Sequence, residues 1–173
     1  MGNSVEIIYL YRLNRLKHNC LIKNQMIQFL GNIEAKIDAK GRIFLPAAFR
    51  KALQSADLMS LVLRKDIFQD CLVLYPLDAW EEEVNLLRQK LNKWNKDHQQ
   101  LFRQFMLDAE RLELDSNGRI LIPKRYLALA KIEAEVRFLG VDNTIEIWSK
   151  TKLEEPLIPA DKFSEELQRL MNN

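Results

Sequence analysis

The sequence predicts an α+β fold in which one small unit is built twice. Three observations lead there. The segment "DAKGRIFLP", Asp38 to Pro46, returns 77 positions later as "DSNGRILIP", Asp115 to Pro123. Each copy is preceded by an alternating apolar–polar run and followed by a proline-led helix and two more apolar runs. Between the copies lies a charged stretch with helical spacing.

In the first copy, "NIEAKID" places Ile33, Ala35 and Ile37 on one side and polar residues on the other, a half-buried strand. "AKG" closes a tight turn, in which Gly41 takes positive φ at little cost. "RIFL" follows as a short strand with Ile43 and Leu45 on one side. Pro46 opens the helix "PAAFRKALQSA", where its missing N–H is no loss. "LMSLVLR" and "CLVLYPL" around "KDIFQD" read as a hairpin. The second copy runs through "ERLELD", the turn "SNG" with Gly118, "RILI" and the Pro123-led "PKRYLALA". "EVRFLG" and "TIEIWS" around "VDN" then form its hairpin. The offset of 77 holds through the helix and drops to 73 in the last strand, so the second hairpin loop is shorter by four. Drift confined to loops is what a structural repeat shows.

These readings divide the chain into units at residues 26–77 and 107–152, a helical connector at 78–106 and a tail at 153–173. In the connector, Asp78 is expected to cap the helix, with Glu81, Glu82 and Glu83 in the first turn. Trp80, Val84, Leu87, Leu91, Trp94, Leu101 and Phe105 make one apolar stripe, with a break expected at Asn95, Lys96 and Asp97. His98 reads as a partly exposed residue of that seam. In the tail, Pro156 and Pro159 precede a short terminal helix that fits either a packed cap or a frayed end. Residues 1–25 carry Arg12, Arg15, Lys17 and Lys23 against Glu6 and resemble neither a signal peptide nor a membrane helix. They read as a flexible extension or a start assigned upstream of Met26, with a basic arm touching nucleic acid as the alternative.

Composition narrows the function. With 173 residues, 47% hydrophobic and 29% charged, the chain buries an ordinary core, and its net charge is only +2. Any basic surface must arise from local arrangement. No apolar run approaches the roughly 18 residues of a membrane span. Cys20 and Cys71 lack metal or disulfide spacing, which fits a reducing cytoplasm, and Cys71 reads as an apolar strand residue. There is no glycine-rich phosphate loop, no G-x-S-x-G and only two histidines, His18 and His98. No enzyme, metal site or cofactor is expected.

The repeated turn is the remaining candidate site. Asp38 and Arg42 lie four apart across it, as do Asp115 and Arg119. Each carboxylate can accept from turn amides and pair with the guanidinium, fixing the loop and the arginine's direction. Arg42 and Arg119 then suit bidentate phosphate or guanine contacts. Lys40 sits on the turn, Lys36 on the preceding strand's polar face, and Lys124 with Arg125 at the start of the second helix. A solvated charged face is the alternative.

The doubled D-x-x-G-R turn with its proline-led helix resembles the MraZ family, which is built from two AbrB/MazE-like swapped-hairpin units. "KIDAKGRIFLPAAFR" and "LELDSNGRILIPKRYL" are similar to its two signature segments, and "CLVLYPLDAWEE" and "VRFLGVDNTIEIW" to the strand regions that follow. The resemblance covers Met26 to about Lys152. It implies tandem units interlocked into one small β-barrel with flanking helices. It also implies a cytoplasmic, nucleoid-associated transcriptional regulator that binds double-stranded DNA at direct repeats in the promoter of the division and cell-wall gene cluster. Ring assembly, a homo-oligomer lining several turns along one DNA face, is implied as well. Arg42 and Arg119 inherit the DNA-contact assignment, with Lys40 as their neighbour. The 25-residue extension departs from the family pattern, as does Asn117 where the first copy has Lys40. An antitoxin-like protein-binding module of the same fold, gripping its partner with residues 154–173, is the alternative.

Overall fold

The computed structural model describes residues 27–56, 58–154 and 156–172. The extension at residues 1–25, with all its readings, lies outside the described residues. The first half contains β1 (Phe29–Lys36), β2 (Arg42–Phe44), α1 (Ala47–Ser55), β3 (Ser60–Lys65) and β4 (Cys71–Pro76). Two helices follow, α2 (Leu77–Lys90) and α3 (Lys96–Leu107). The second half repeats the order with β5 (Ala109–Glu113), β6 (Arg119–Leu121), α4 (Lys124–Leu129), β7 (Glu135–Asp142) and β8 (Thr144–Ser149). A 3-10 turn at Lys150–Leu153 leads to the terminal helix α5 (Ala160–Met171).

Six strands form one antiparallel sheet in the order β1-β7-β8-β4-β3-β5, and β2 pairs with β6 as a separate ribbon. The leading strand of each unit therefore lies on the other unit's hairpin: β1 against β7, and β5 against β3. The closed barrel implied by the resemblance is not found among the described residues. The sheet is open, with β1 and β5 as its edges. After each charged turn the chain leaves the sheet, so β2 and β6 bond to one another and, among the described residues, nothing joins β1 to β5.

Strand alternation puts one row of apolar side chains across the sheet: Ile33, Phe138, Ile147 and Leu72 are in register. Ile43, Leu45, Ile120 and Ile122 from the ribbon region, Phe49 and Leu53 from α1, and Tyr126 from α4 complete that core. It belongs equally to both halves. Cys71 is wholly buried, and that burial pushes its thiol pKa up.

A smaller cluster of Val62, Trp80, Val84 and Phe105 seats α2 and α3 on the other face of the sheet. The Trp80 and Phe105 rings stack at 5.3 Å. Arg64, buried on β3, lies 4.0 Å over the Phe105 ring and donates from Nε to the Phe105 carbonyl at 3.3 Å. The connector departs from expectation in two details. Helix α2 begins at Leu77 directly after Pro76, so Asp78 lies inside its first turn and makes no cap. Glu81 to Glu83 fall one turn later. The break comes at residues 91–95, and Asn95 caps α3 by accepting from the N–H groups of Asp97 and His98. The chain folds back there, and Trp94 and Leu101 of the expected stripe are left exposed. His98 is half-buried and accepts from the Asn92 N–H.

Candidate nucleic-acid interface

Each charged turn is built by its own short sequence. In the first, the Asp38 N–H donates to the Arg42 carbonyl at 2.9 Å, and the Gly41 N–H donates to the Asp38 carbonyl at 2.9 Å. One carboxylate oxygen of Asp38 accepts from the N–H groups of Lys40 and Arg42, both at 2.9 Å. The other accepts from Nε of Arg42 at 2.7 Å. The second turn repeats this with Asp115, Asn117 and Arg119 at matching distances of 2.9, 2.9 and 2.7 Å. Gly41 and Gly118 sit at φ +86° and +77°, the left-handed region that a side chain resists.

These bonds hold the carboxylates ionised. The Arg42 backbone N–H first, and then its side chain, depress the Asp38 pKa to about 2. The Arg119 backbone N–H is likewise the largest cause of the lowered Asp115 pKa. Nε of each arginine is tied to the carboxylate, and in Arg42 Nη2 lies 2.7 Å from the same oxygen, which leaves Nη1 of each guanidinium for a further acceptor.

The ribbon brings both arginines to one surface. Arg42 is opposite Leu121 and Phe44 is opposite Arg119. Opposed residues point to the same side of an antiparallel pair, and residues two apart on a strand do as well. Arg42, Phe44, Arg119 and Leu121 therefore share the outward face, while Ile43 and Ile120 point into the core. The two arginines are diagonal on that face, about 8 Å apart by strand spacing. Phe44 and Leu121 are 58% and 54% exposed, and the Arg119 guanidinium lies 5.6 Å from the Phe44 ring centroid.

The other basic residues are distributed unequally. Lys40 is exposed on the first turn, and Lys124 is exposed at the first position of α4; neither has an ion-pair partner among the described residues. Lys36 is elsewhere. It pairs with Glu135 at 3.0 Å within a network of Lys150, Glu34 and Arg137 on the sheet face opposite the ribbon. Arg125 pairs with Glu110 and donates to the Tyr126 hydroxyl at 3.3 Å. The structure thus brings together Arg42 and Arg119, and keeps Lys36 and Arg125 in ion pairs of their own.

Three residues at this surface escaped the reading of the sequence. Phe44 and Leu121 were implied by the alternation that sends Ile43 and Ile120 inward. Arg50 was not. It reaches from α1 to the second turn, where a Cβ placed on Gly118 would come within 2.6 Å of its Cδ.

The model of the family described as "MraZ protein, putative antitoxin-like" matches residues 28–103 and 105–171, which together contain both turns. The chain belongs to the MraZ family. Among its MraZ relatives, the "Transcriptional regulator MraZ" of Bacteroides thetaiotaomicron is 56% identical over 148 residues, covering 86% of this chain and 95% of that protein. The one from Phocaeicola vulgatus is 60% identical over 145 residues, covering 84% and 94%. The one from Christiangramia forsetii is 36% identical over 152 residues, covering 86% and 96%. These MraZ relatives support a role in transcription regulation. Among the described residues no helix is long and apolar enough to cross a membrane.

Proposed function

We propose that the chain is a sequence-specific, DNA-binding transcriptional regulator that grips promoter repeats through its two charged turns. The observation that carries this is the ribbon face, where two carboxylate-clamped arginines stand side by side with no core role of their own. Both can face the same duplex, whose two strands together carry one charge per roughly 1.7 Å of helix axis. A two-stranded ribbon also fits the major groove, where arginine recognises guanine bidentately. Arg42, Arg119, Lys40 and Lys124 are the contacts we assign, with Asp38, Gly41, Asp115 and Gly118 shaping the turns.

One chain offers few phosphate contacts, so its binding is weak and salt-sensitive. Assembly of several copies into a ring raises the effective concentration of turns at successive DNA repeats. The protein then acts in the cytoplasm on the nucleoid, at the promoter of the division and cell-wall gene cluster. The units at 26–77 and 107–152 supply one turn each.

The test is a salt-titrated binding assay on a duplex from upstream of the chain's own gene, with a scrambled control. Preference for the native duplex, with affinity falling steeply as salt rises, is expected. The double variant Arg42→Ala/Arg119→Ala should assemble normally and lose that binding. Retention of wild-type binding by this variant would remove the turns from the interface.

A second reading is favoured by one feature. Helix α5 carries Phe163, Leu167, Leu170 and Met171 exposed and has no buried residue. An antitoxin-like module would use such a tail to hold a protein partner. Pull-down with and without residues 154–173 separates the two, because only a module loses a stoichiometric partner with the tail.

A further inference from the structure

The two turns are not equivalent in charge. The first carries Lys40; the second has Asn117 at that position. The helices differ in the same sense. Arg50 of α1 corresponds to Leu127 of α4 in the repeat, and Leu127 packs against the core. At these two positions both cations, Lys40 on the turn and Arg50 on the helix, therefore belong to the first unit, and the second unit has neither.

The fold delivers the helix cation to the turn that lacks one. Arg50 lies directly against Gly118, with its Cδ and guanidinium carbon 2.6 and 3.0 Å from where a Cβ would stand. Only glycine leaves room for it there. The contact crosses between units, from the helix of the first to the turn of the second. Arg50 is also unsatisfied: its Nε is enclosed without a hydrogen-bond partner, and no carboxylate pairs with it among the described residues. Other arginines at this end of the molecule are neutralised, Arg42 by Asp38, Arg119 by Asp115 and Arg125 by Glu110. A partly exposed arginine whose guanidinium is held at a turn with no counter-charge is arranged for an anion from outside the chain.

We propose that Arg50 is a phosphate-binding residue of the second turn, taking there the part that Lys40 takes at the first. The inference rests on the DNA-binding reading of the turns and adds to it a residue from outside the repeated motif. It makes the two turns electrostatically matched although their sequences differ.

The test compares full-length wild type, Arg50→Gln, Arg50→Lys, Arg50→Gln/Asn117→Lys and Arg42→Ala/Arg119→Ala on the upstream duplex between 50 and 200 mM salt. Melting temperature and oligomer size are measured on each. Loss of one phosphate contact lowers the salt slope by about 0.9 per engaged chain, so roughly 3.5-fold less affinity is lost over that range. Arg50→Gln should show this shallower slope, Arg50→Lys should keep the wild-type slope, and Asn117→Lys should restore it in the Arg50→Gln background. Leucine at position 50, the residue the repeat carries at 127, provides a packing-tolerant second variant with the same expected slope. A wild-type slope in Arg50→Gln, or a slope that Asn117→Lys leaves shallow, overturns the inference while the loss of binding in Arg42→Ala/Arg119→Ala keeps the turns as the interface. Wild-type binding by that double variant overturns both.

Discussion

Asp38 and Asp115 do the same work in the two turns: each ties down two backbone amides and one arginine. Asp38 titrates at about 2 in the fold against 3.8 ordinarily, so folding favours its ionised form. Its support for the fold is complete above about pH 4 and is lost as the pH falls through about 2. Asp115 shifts in the same direction. The melting temperature should therefore drop between pH 5 and pH 2.5, and Asp38→Ala should lower it at pH 7 and flatten that acid dependence. An unchanged acid slope in Asp38→Ala would place the sensitivity elsewhere. Gly118→Ala meets both a φ of +77° and the Arg50 side chain, and should cost about 1–3 kcal/mol in urea titration. At this scale the sequence was readable, because every bond of the turn closes within five residues. Arg50 was not, since its partner is far away in the chain and no spacing links helix position 50 to turn position 118.

Elements were legible in kind and less so in their joints. Proline immediately precedes α1, α2, α4 and α5, at φ between −51° and −60°, and none of these helices has a side-chain cap. Among the described α-helices only α3 is capped, by Asn95. Asn95→Ala should cost about 1 kcal/mol, read as a lower urea midpoint with the denaturant slope unchanged. The apolar stripe of the connector predicted one seam. Its turn at 91–95 instead folds α3 back on α2, so Trp80 meets Phe105 and Trp94 is left out. Periodicity reports the face of a helix and is silent about which partner covers it. The ribbon is held by few residues, with Ile43 and Ile120 opposed at its centre and both buried. Ile120→Ala should cost about 2–5 kcal/mol by equilibrium unfolding. DNA affinity should fall with it, because the same pair positions Arg42 and Arg119.

For the whole molecule, the repeat predicted two units and left their pairing open. Two near-copies offer the same alternation to a neighbouring strand, so the pattern cannot say whether β1 joins its own hairpin or the other. The structure exchanges them, putting β1 on β7 and β5 on β3. The core is correspondingly shared, and residues 26–77 expressed alone should be unfolded by circular dichroism. Mixing them with residues 78–173 should recover strand signal, and a folded 26–77 fragment would contradict the exchange. The same pairing sets an order of events during synthesis. Phe29 is in register with Asp142 and Lys36 with Glu135, so β1 finds its partner only about a hundred residues later. At about 5–20 residues per second, the first strand waits on the order of 5–20 s while the ribosome finishes the rest. Its apolar face is uncovered for that interval, and the strand made first is among the last to be fixed in place.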